Sequence, residues 1–307
     1  MRVQSTVEEN EEMKTAFFWG MLGCVGGMLI LTAVIPSARV TARPMMMPIE
    51  EAKEERVQSW SIPGVGVKTM RVKIQTGSLR VIAGQTKEIV VRARRIVRAK
   101  NGTIAKELLL SLPMSVVHKG GEVLINDLRL TRDLTGGPGM PRVELEVDIT
   151  APTGIALEAS VAAGNTRLLG RLGKVALQTQ VGNVTLERQQ GITGDIAVGT
   201  GCVTLSGEVG NLAVQARTGE IWAARVQASQ ADSLSVRAGT GNIWMSLDQL
   251  PKHQLIAQTH TGDVVVQVPT KKGAPGPKLT ALADLGTSRL DYGITPQPLG
   301  ALGPTAQ

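Results

Sequence analysis

From residue 150 to 268 the chain alternates apolar and polar residues with a period of two, and a glycine interrupts the alternation at regular intervals. The recurring phrase runs IALEASVAAGNTRLLG, VALQTQVGNVTLE, IAVGTGCVTLSG, LAVQARTGEIWAA, LSVRAGTGNIWMSL and LIAQTHTGDVVVQV. Its glycines are Gly164, Gly182, Gly201, Gly219, Gly241 and Gly262, spaced 18, 19, 18, 22 and 21 residues apart. A side-chain period of two belongs to a strand, so each phrase is two strands that meet at a glycine. One such turn cannot bury its own apolar row, whereas stacked turns bury a continuous one. The pattern predicts an all-β chain built as a single-stack β-solenoid, a short-turn β-helix.

The alternation also assigns faces. After the glycine, Val184 and Leu186, Val203 and Leu205, Ile221 and Ala223, Ile243 and Met245, and Val264 and Val266 share one parity and are predicted to point inward. Before it, Leu212, Val214 and Ala216 do the same, while Gln178, Gln215, Arg237 and Gln258 fall outside. The outward column after the glycine is Arg167, Thr185, Thr204, Trp222, Trp244 and Val265. Two of only four tryptophans therefore stand in adjacent turns at one position, and with Val265 they would form an apolar stripe. Either that stripe is displayed to a partner, or another part of the chain, the 90–112 segment or the C-terminal tail, folds over it. The residues after the glycines are Asn165, Asn183, Cys202, Glu220, Asn242 and Asp263. Glycine with Asn or Asp is corner chemistry. Cys202 and Glu220 interrupt any column of metal ligands, so neither metal nor cofactor is expected.

The upstream region echoes the repeat. MRVKIQTGSLRVIAG (70–84) has the same strand, Thr-Gly and strand order and is predicted to be an early turn. VVRARRIVRAKNGTIAKELLLSL (90–112) is expected to be a hairpin closed by Asn-Gly. LTRDLTGGPGMPR (130–142) is a loop, and KLTALADLGTSRLDYG (278–293) a degenerate last turn. Further upstream, AFFWGMLGCVGGMLILTAVI (16–35) is an uncharged run as long as a membrane-crossing helix. A cleaved signal competes through Val40-Thr41-Ala42, but the acidic EENEE and the late site favour an uncleaved anchor. Arg2 and Lys14 before the run nearly balance Arg39 and Arg43 after it, so charge leaves the topology open. Gly23 and Gly27 have the spacing that lets two such helices pack as a homodimer. The expected organisation is thus a tail (1–15), one transmembrane helix (16–35), a linker (36–58), a β-solenoid domain (59–293, clear repeats 150–268) and a disordered tail (294–307).

Charge changes this picture in one place. The net charge of +7 comes from residues 59–141, with 14 Lys and Arg against 5 Asp and Glu, whereas residues 1–58 carry 6 against 8 and residues 142–307 carry 13 against 13. The candidate basic patch is Arg92, Arg94, Arg95, Arg98 and Lys100, which suits an anionic envelope polymer or headgroups. The competing reading is a ribbon whose outer face is solvated by its charges. No aromatic residue interleaves the patch, so nucleic acid is not expected as a partner. Two cysteines, Cys24 and Cys202, make no disulfide framework.

The Val-rich strand with QTGS (75–78), the basic strand region, the VDITAPTG approach and the serial Gly-Asn/Asp-Ile/Val repeats together resemble the bacterial "putative adhesin" family over residues 65–268. The resemblance implies a β-solenoid of unknown function in the cell envelope, outside the cytoplasmic membrane, with no catalytic residues to carry over. Three functions are weighed. A membrane-anchored, non-catalytic structural or adhesion module would bind an envelope protein, anionic polymer or glycan. A scaffold similar to bactofilins would polymerise in the cytoplasm through open ends; here both end regions are expected to be caps. A polysaccharide-acting β-helix enzyme would need clustered carboxylates; Glu158, Glu187 and Asp195 are expected not to share a column, and His118, His253 and His260 stand apart.

Overall fold

The computed structural model describes residues 52–127, 141–269 and 277–292. The helix expected at 16–35, its Gly23 and Gly27, the 130–140 part of the loop and the 294–307 tail lie outside the described residues. Among the described residues no helix is long and apolar enough to cross a membrane.

The chain opens with β1 (Ala52–Pro63), β2 (Thr69–Thr76), β3 (Ser78–Gly84), β4 (Glu88–Ala99), helix α1 (Gly102–Ser111), β5 (Met114–Lys119), β6 (Glu122–Asp127) and β7 (Arg142–Pro152). The repeats follow as β8 (Ala156–Ala163), β9 (Thr166–Gly170), β10 (Lys174–Val181), β11 (Val184–Thr200), β12 (Val203–Thr218), β13 (Ile221–Gln227) and β14 (Ser233–Thr240). The last strands are β15 (Ile243–Gln249), β16 (Gln254–Thr261), β17 (Val264–Val268), β18 (Lys278–Leu285) and β19 (Ser288–Tyr292).

These strands stack into two parallel ladders. The first ladder, whose strands from β2 onward precede a corner glycine, runs β6, β2, β8, β10, β11, β12, β14, β16, β18. The second, whose strands from β3 onward follow it, runs β7, β3, β9, β11, β12, β13, β15, β17, β19. The β-solenoid read from the sequence is the observed architecture. The inward columns are continuous: Ala159, Leu177, Ile196, Val214, Val236 and Ala257 stand in register on the first ladder, and Leu168, Leu186, Leu205, Ala223, Met245 and Val266 on the second. All are buried. Each fully buried Val, Leu or Met contributes roughly 1.5–3 kcal/mol, and that sum offsets the chain entropy of a fold with no aromatic residue in these columns.

The corner explains the glycines. Gly77, Gly164, Gly182, Gly201, Gly219, Gly241, Gly262 and Gly286 all have φ between +129° and +148°. A Cβ at Gly182 would lie 1.9 Å from the carbonyl oxygen of Gly164, and the same clash recurs down the column. Gly77 and Gly286 extend the corner to the early and last turns expected from QTGS and from 278–293. Beside the glycines side chains bond four pairs of successive corners: Asn183 N–H donates to Asn165 Oδ1 (3.1 Å), Cys202 N–H to Asn183 Oδ1 (2.9 Å), Asp263 N–H to Asn242 Oδ1 (2.9 Å) and Thr287 N–H to Asp263 Oδ1 (2.8 Å). At the far end of the second ladder a further column takes positive φ, with Gly170, Arg188 (50°), Gly207 and Arg225 (54°). Only glycine announces such a position in sequence, so the two arginines gave no signal.

Three expectations need correction. Residues 90–112 are not a hairpin. β4 is followed by α1, because the Asn101 side chain accepts from Ile104 N–H (2.8 Å) and caps a helix instead of turning a strand. Ala105 and Leu109, one helical turn apart, then bury against Val97 and Ala99. The linker expected through residue 58 ends earlier, since β1 starts at Ala52 and pairs antiparallel with β4. Finally, the two ends differ. The first turns are closed by antiparallel β1, β4 and β5, whereas the last turn is a regular one, with β18 and β19 each paired on one side only among the described residues.

Candidate functional site

The tryptophan column is built by the second ladder. Ile221 and Ala223 flank Trp222, and Ile243 and Met245 flank Trp244; all four neighbours are buried. The pleat therefore turns both rings outward. Trp222 and Trp244 are register partners on β13 and β15, and Val265 on β17 is next in the column. The ring centroids stand 5.6 Å apart and the planes are tilted by 39°. Trp222 is 42% exposed, and Trp244 and Val265 are half-buried. Thr204 precedes the pair in the column and Arg289 follows Val265.

A residue that sequence reasoning treated only as an interruption holds this site. Glu220, in the corner position, accepts from Trp222 Nε1 (3.0 Å) through one carboxylate oxygen and from Asn242 Nδ2 (3.4 Å) through the other. It ties Trp222 to the corner ladder at a fixed tilt. The Glu-x-Trp spacing at 220–222 carries that signal, because it sets a carboxylate two residues before the indole at the entry to β13. The 90–112 segment does not cover the rings: α1 packs on β1 and β4, at the other end of the ladder.

The basic patch is resolved into ion pairs. β4 lies between β1 and β7, and their acids meet its arginines. Arg94 donates to both oxygens of Glu55 (2.7 and 3.1 Å) and to Glu146 (3.2 Å). These bonds hold the Glu55 carboxyl below its ordinary value and push the Arg94 guanidinium up. Arg98 stands 3.5 Å from Glu144. Arg95 faces the opposite side, is buried, and donates to buried Asp127 (3.1 Å). Arg92 is exposed, in register with Ser59 and Asp148, and Lys100 is exposed. Three of the charges in excess in residues 59–141 (14 − 5 = 9) are thus offset by Glu55, Glu144 and Glu146, which lie outside that block.

The carboxylates are also placed differently from expectation. Glu158 and Asp195 do share a column, separated by Ala176. Glu158 is held by Arg71 (2.7 Å), and the two acids border an open depression of about 420 Å³ with Ser160 and Gln178. Glu187 is on the other ladder, paired with Arg167 (2.5 Å). His260 Nδ1 faces Asp284 Oδ2 at 3.0 Å on the surface.

No curated protein matches the chain. Among solved structures, it is similar to a "putative adhesin" from Bacteroides fragilis NCTC 9343 (13% identity, TM-score 0.49, 78% of this chain and 98% of that one). It is also similar to a "putative cell adhesion protein" from Clostridium sporogenes ATCC 15579 (11%, 0.36, 78% and 100%) and a "putative adhesin" from Parabacteroides merdae ATCC 43184 (11%, 0.41, 77% and 96%). Residues 146–278, from β7 into β18, match the family described as Toastrack DUF4097, in keeping with the "putative adhesin" resemblance read from the sequence.

Proposed function

We propose that this protein is a non-catalytic interaction module of the bacterial cell envelope, anchored in the cytoplasmic membrane by residues 16–35 with its solenoid on the extracytoplasmic side. The observation that carries the reading is the outward pair Trp222 and Trp244, with Trp222 bonded to Glu220 and exposed and Trp244 half-buried beside it. Large aromatic rings stacked at a surface supply contact area at low conformational cost, and adjacent exposed apolar groups mark a contact site. The uncharged run 16–35 supports the anchor. The anion-binding role of the patch is narrowed to Arg92 and Lys100, because Arg94, Arg95 and Arg98 already meet carboxylates.

Replacing both tryptophans with Ser tests the site. The expected outcome is a stability change within about 1–2 kcal/mol, the scale of one exposed aromatic pair, together with at least a tenfold loss of binding to envelope glycans or proteins, about 1.4 kcal/mol. A large stability loss with unchanged binding sinks the display reading. Alkaline phosphatase fused after residue 293 tests the topology: activity is expected, and a silent fusion places the solenoid inside.

A further inference from the structure

Among the described residues the stack begins with antiparallel strands and ends on a regular parallel turn. β18 and β19 present an unpaired row of backbone donors and acceptors, and no proline, bulge or antiparallel strand blocks them among the described residues. The core is open there too. Leu279, Ala281, Ala283 and Leu290 pack on the core but stay partly buried, whereas Leu255 and Ala257, one turn earlier in the same columns, are 1% and 0% exposed. Leu282 and Leu285 are 46% and 63% exposed.

We propose that a second copy of this chain covers this end, tail to tail, by antiparallel pairing of β18 with β18 of its partner. The ends dictate the symmetry. At the first end the outer strands β1, β4 and β5 are antiparallel, so a head-to-tail contact does not continue the parallel stack, whereas the regular last edge can pair with its own copy in an isologous two-fold contact. A two-fold axis perpendicular to the sheet keeps the inward face inward and makes the seam antiparallel.

The sequence of β18, KLTALADL, chooses the register. Inward residues must face inward residues, so the axis passes through a residue and not between two. On Ala281 it sets Leu279 opposite Ala283 and Ala281 opposite itself on the core side. On the outer side it sets Lys278 opposite Asp284 at both ends of the seam, and Thr280 opposite Leu282. An axis on Leu282 gives the same overlap of seven residues, but only the axis on Ala281 brings opposite charges together, and it does so twice. Asp284 keeps its oxygen Oδ2 on His260 and has the other free of that contact. Within one strand Lys278 and Asp284 are six residues apart, about 20 Å, so they cannot pair inside a single chain.

That separation makes the test decisive. The full chain, of 32.5 kDa, is examined by sedimentation equilibrium in mild detergent, with a mass near 65 kDa (2 × 32.5) expected. Asp284→Lys or Lys278→Asp alone puts like charges opposite each other at both ends and should weaken self-association roughly tenfold or more. The double swap Lys278→Asp with Asp284→Lys should restore it, which no intrachain contact can do. A chain that is monomeric throughout, an association untouched by the single reversals (as a contact through Gly23 and Gly27 would be), or a swap that fails to rescue overturns the proposal. So does a chain that dimerises only after residues 294–307 are removed, since its own tail is then the cover.

Discussion

Gly201→Ala is the sharpest test of how the stack is held. Gly201 sits at the corner with φ +144°, and a Cβ there would lie 2.0 Å from the Gly182 carbonyl oxygen, where ordinary contact begins at 3.4 Å. The deficit, 3.4 − 2.0 = 1.4 Å, falls on backbone and cannot be absorbed by a side-chain rotation. Separating the two turns by that much strains three bonds: Gly182 N–H to Thr200 O (2.8 Å), Val184 N–H to Cys202 O (2.9 Å) and Cys202 N–H to Asn183 Oδ1 (2.9 Å). At about 1 kcal/mol each, plus about 1–3 kcal/mol for an L-residue in this conformation, the expected cost is about 4–6 kcal/mol. That is a large part of the roughly 5–15 kcal/mol that stabilises a typical fold. Two controls separate the contributions. Gly191 has φ +77° with nothing within 4 Å of a Cβ, so Gly191→Ala should show the backbone part alone, about 1 kcal/mol. Gly84 has neither constraint, and Gly84→Ala should be nearly neutral. Urea unfolding followed by circular dichroism ranks the three. If Gly201→Ala unfolds with Gly191→Ala, the close approach of the corner backbones does not hold the turns together.

Asp127→Ala should cost about 1.5–3 kcal/mol in urea unfolding by removing the buried charge-assisted hydrogen bond from Arg95, and adding Arg95→Met should recover part of it. Asn101→Ala should cost about 1 kcal/mol and speed hydrogen exchange in the first turn of α1, while Asn101→Ser should not. The Asp263 carboxyl is held below its ordinary 3.8 by the Thr287 backbone N–H and then by the Thr287 hydroxyl. Because its folded value is depressed, its contribution is complete above pH 3.8 and is lost as pH falls through the folded value; Asp263→Asn keeps the carbonyl acceptor and removes that dependence, which carboxyl NMR titration and unfolding between pH 5 and about 2 would detect.

The solenoid was legible because its two rules are local. A period of two marks the strands, and a left-handed corner admits only glycine, so Gly164 through Gly262 announce themselves and QTGS predicts Gly77. α1 was not legible. Asn101-Gly102 serves a hairpin turn and a helix cap equally well, and the choice falls to Ala105 and Leu109, whose burial depends on the Val97 and Ala99 surface that β4 supplies. The surroundings of the basic patch were not legible for a related reason. Counting charge along the chain cannot see that Glu55, Glu144 and Glu146, from flanking segments, are brought beside Arg94 and Arg98 by antiparallel pairing.

Counting from the corner glycine shows where such reading stops. Arg71, Glu158, Ala176, Asp195, Ala213 and Ser235 each stand six residues before their glycine, and the ladder places them in one column. The shared position of Glu158 and Asp195 was therefore available from spacing alone. Trp222 and Trp244 each stand three after theirs, and they too meet. Beyond the second ladder the count fails. The register slips between Leu186 and Gln189 and again between Ser206 and Gly207, where Arg188 and Gly207 turn through positive φ. The spacing between glycines varies from 18 to 22 in the clear repeats because the return path absorbs the difference. Tight corners thus fix what each face displays, and slack in the return lets the length of a turn drift without moving a residue of the Trp222 and Trp244 column.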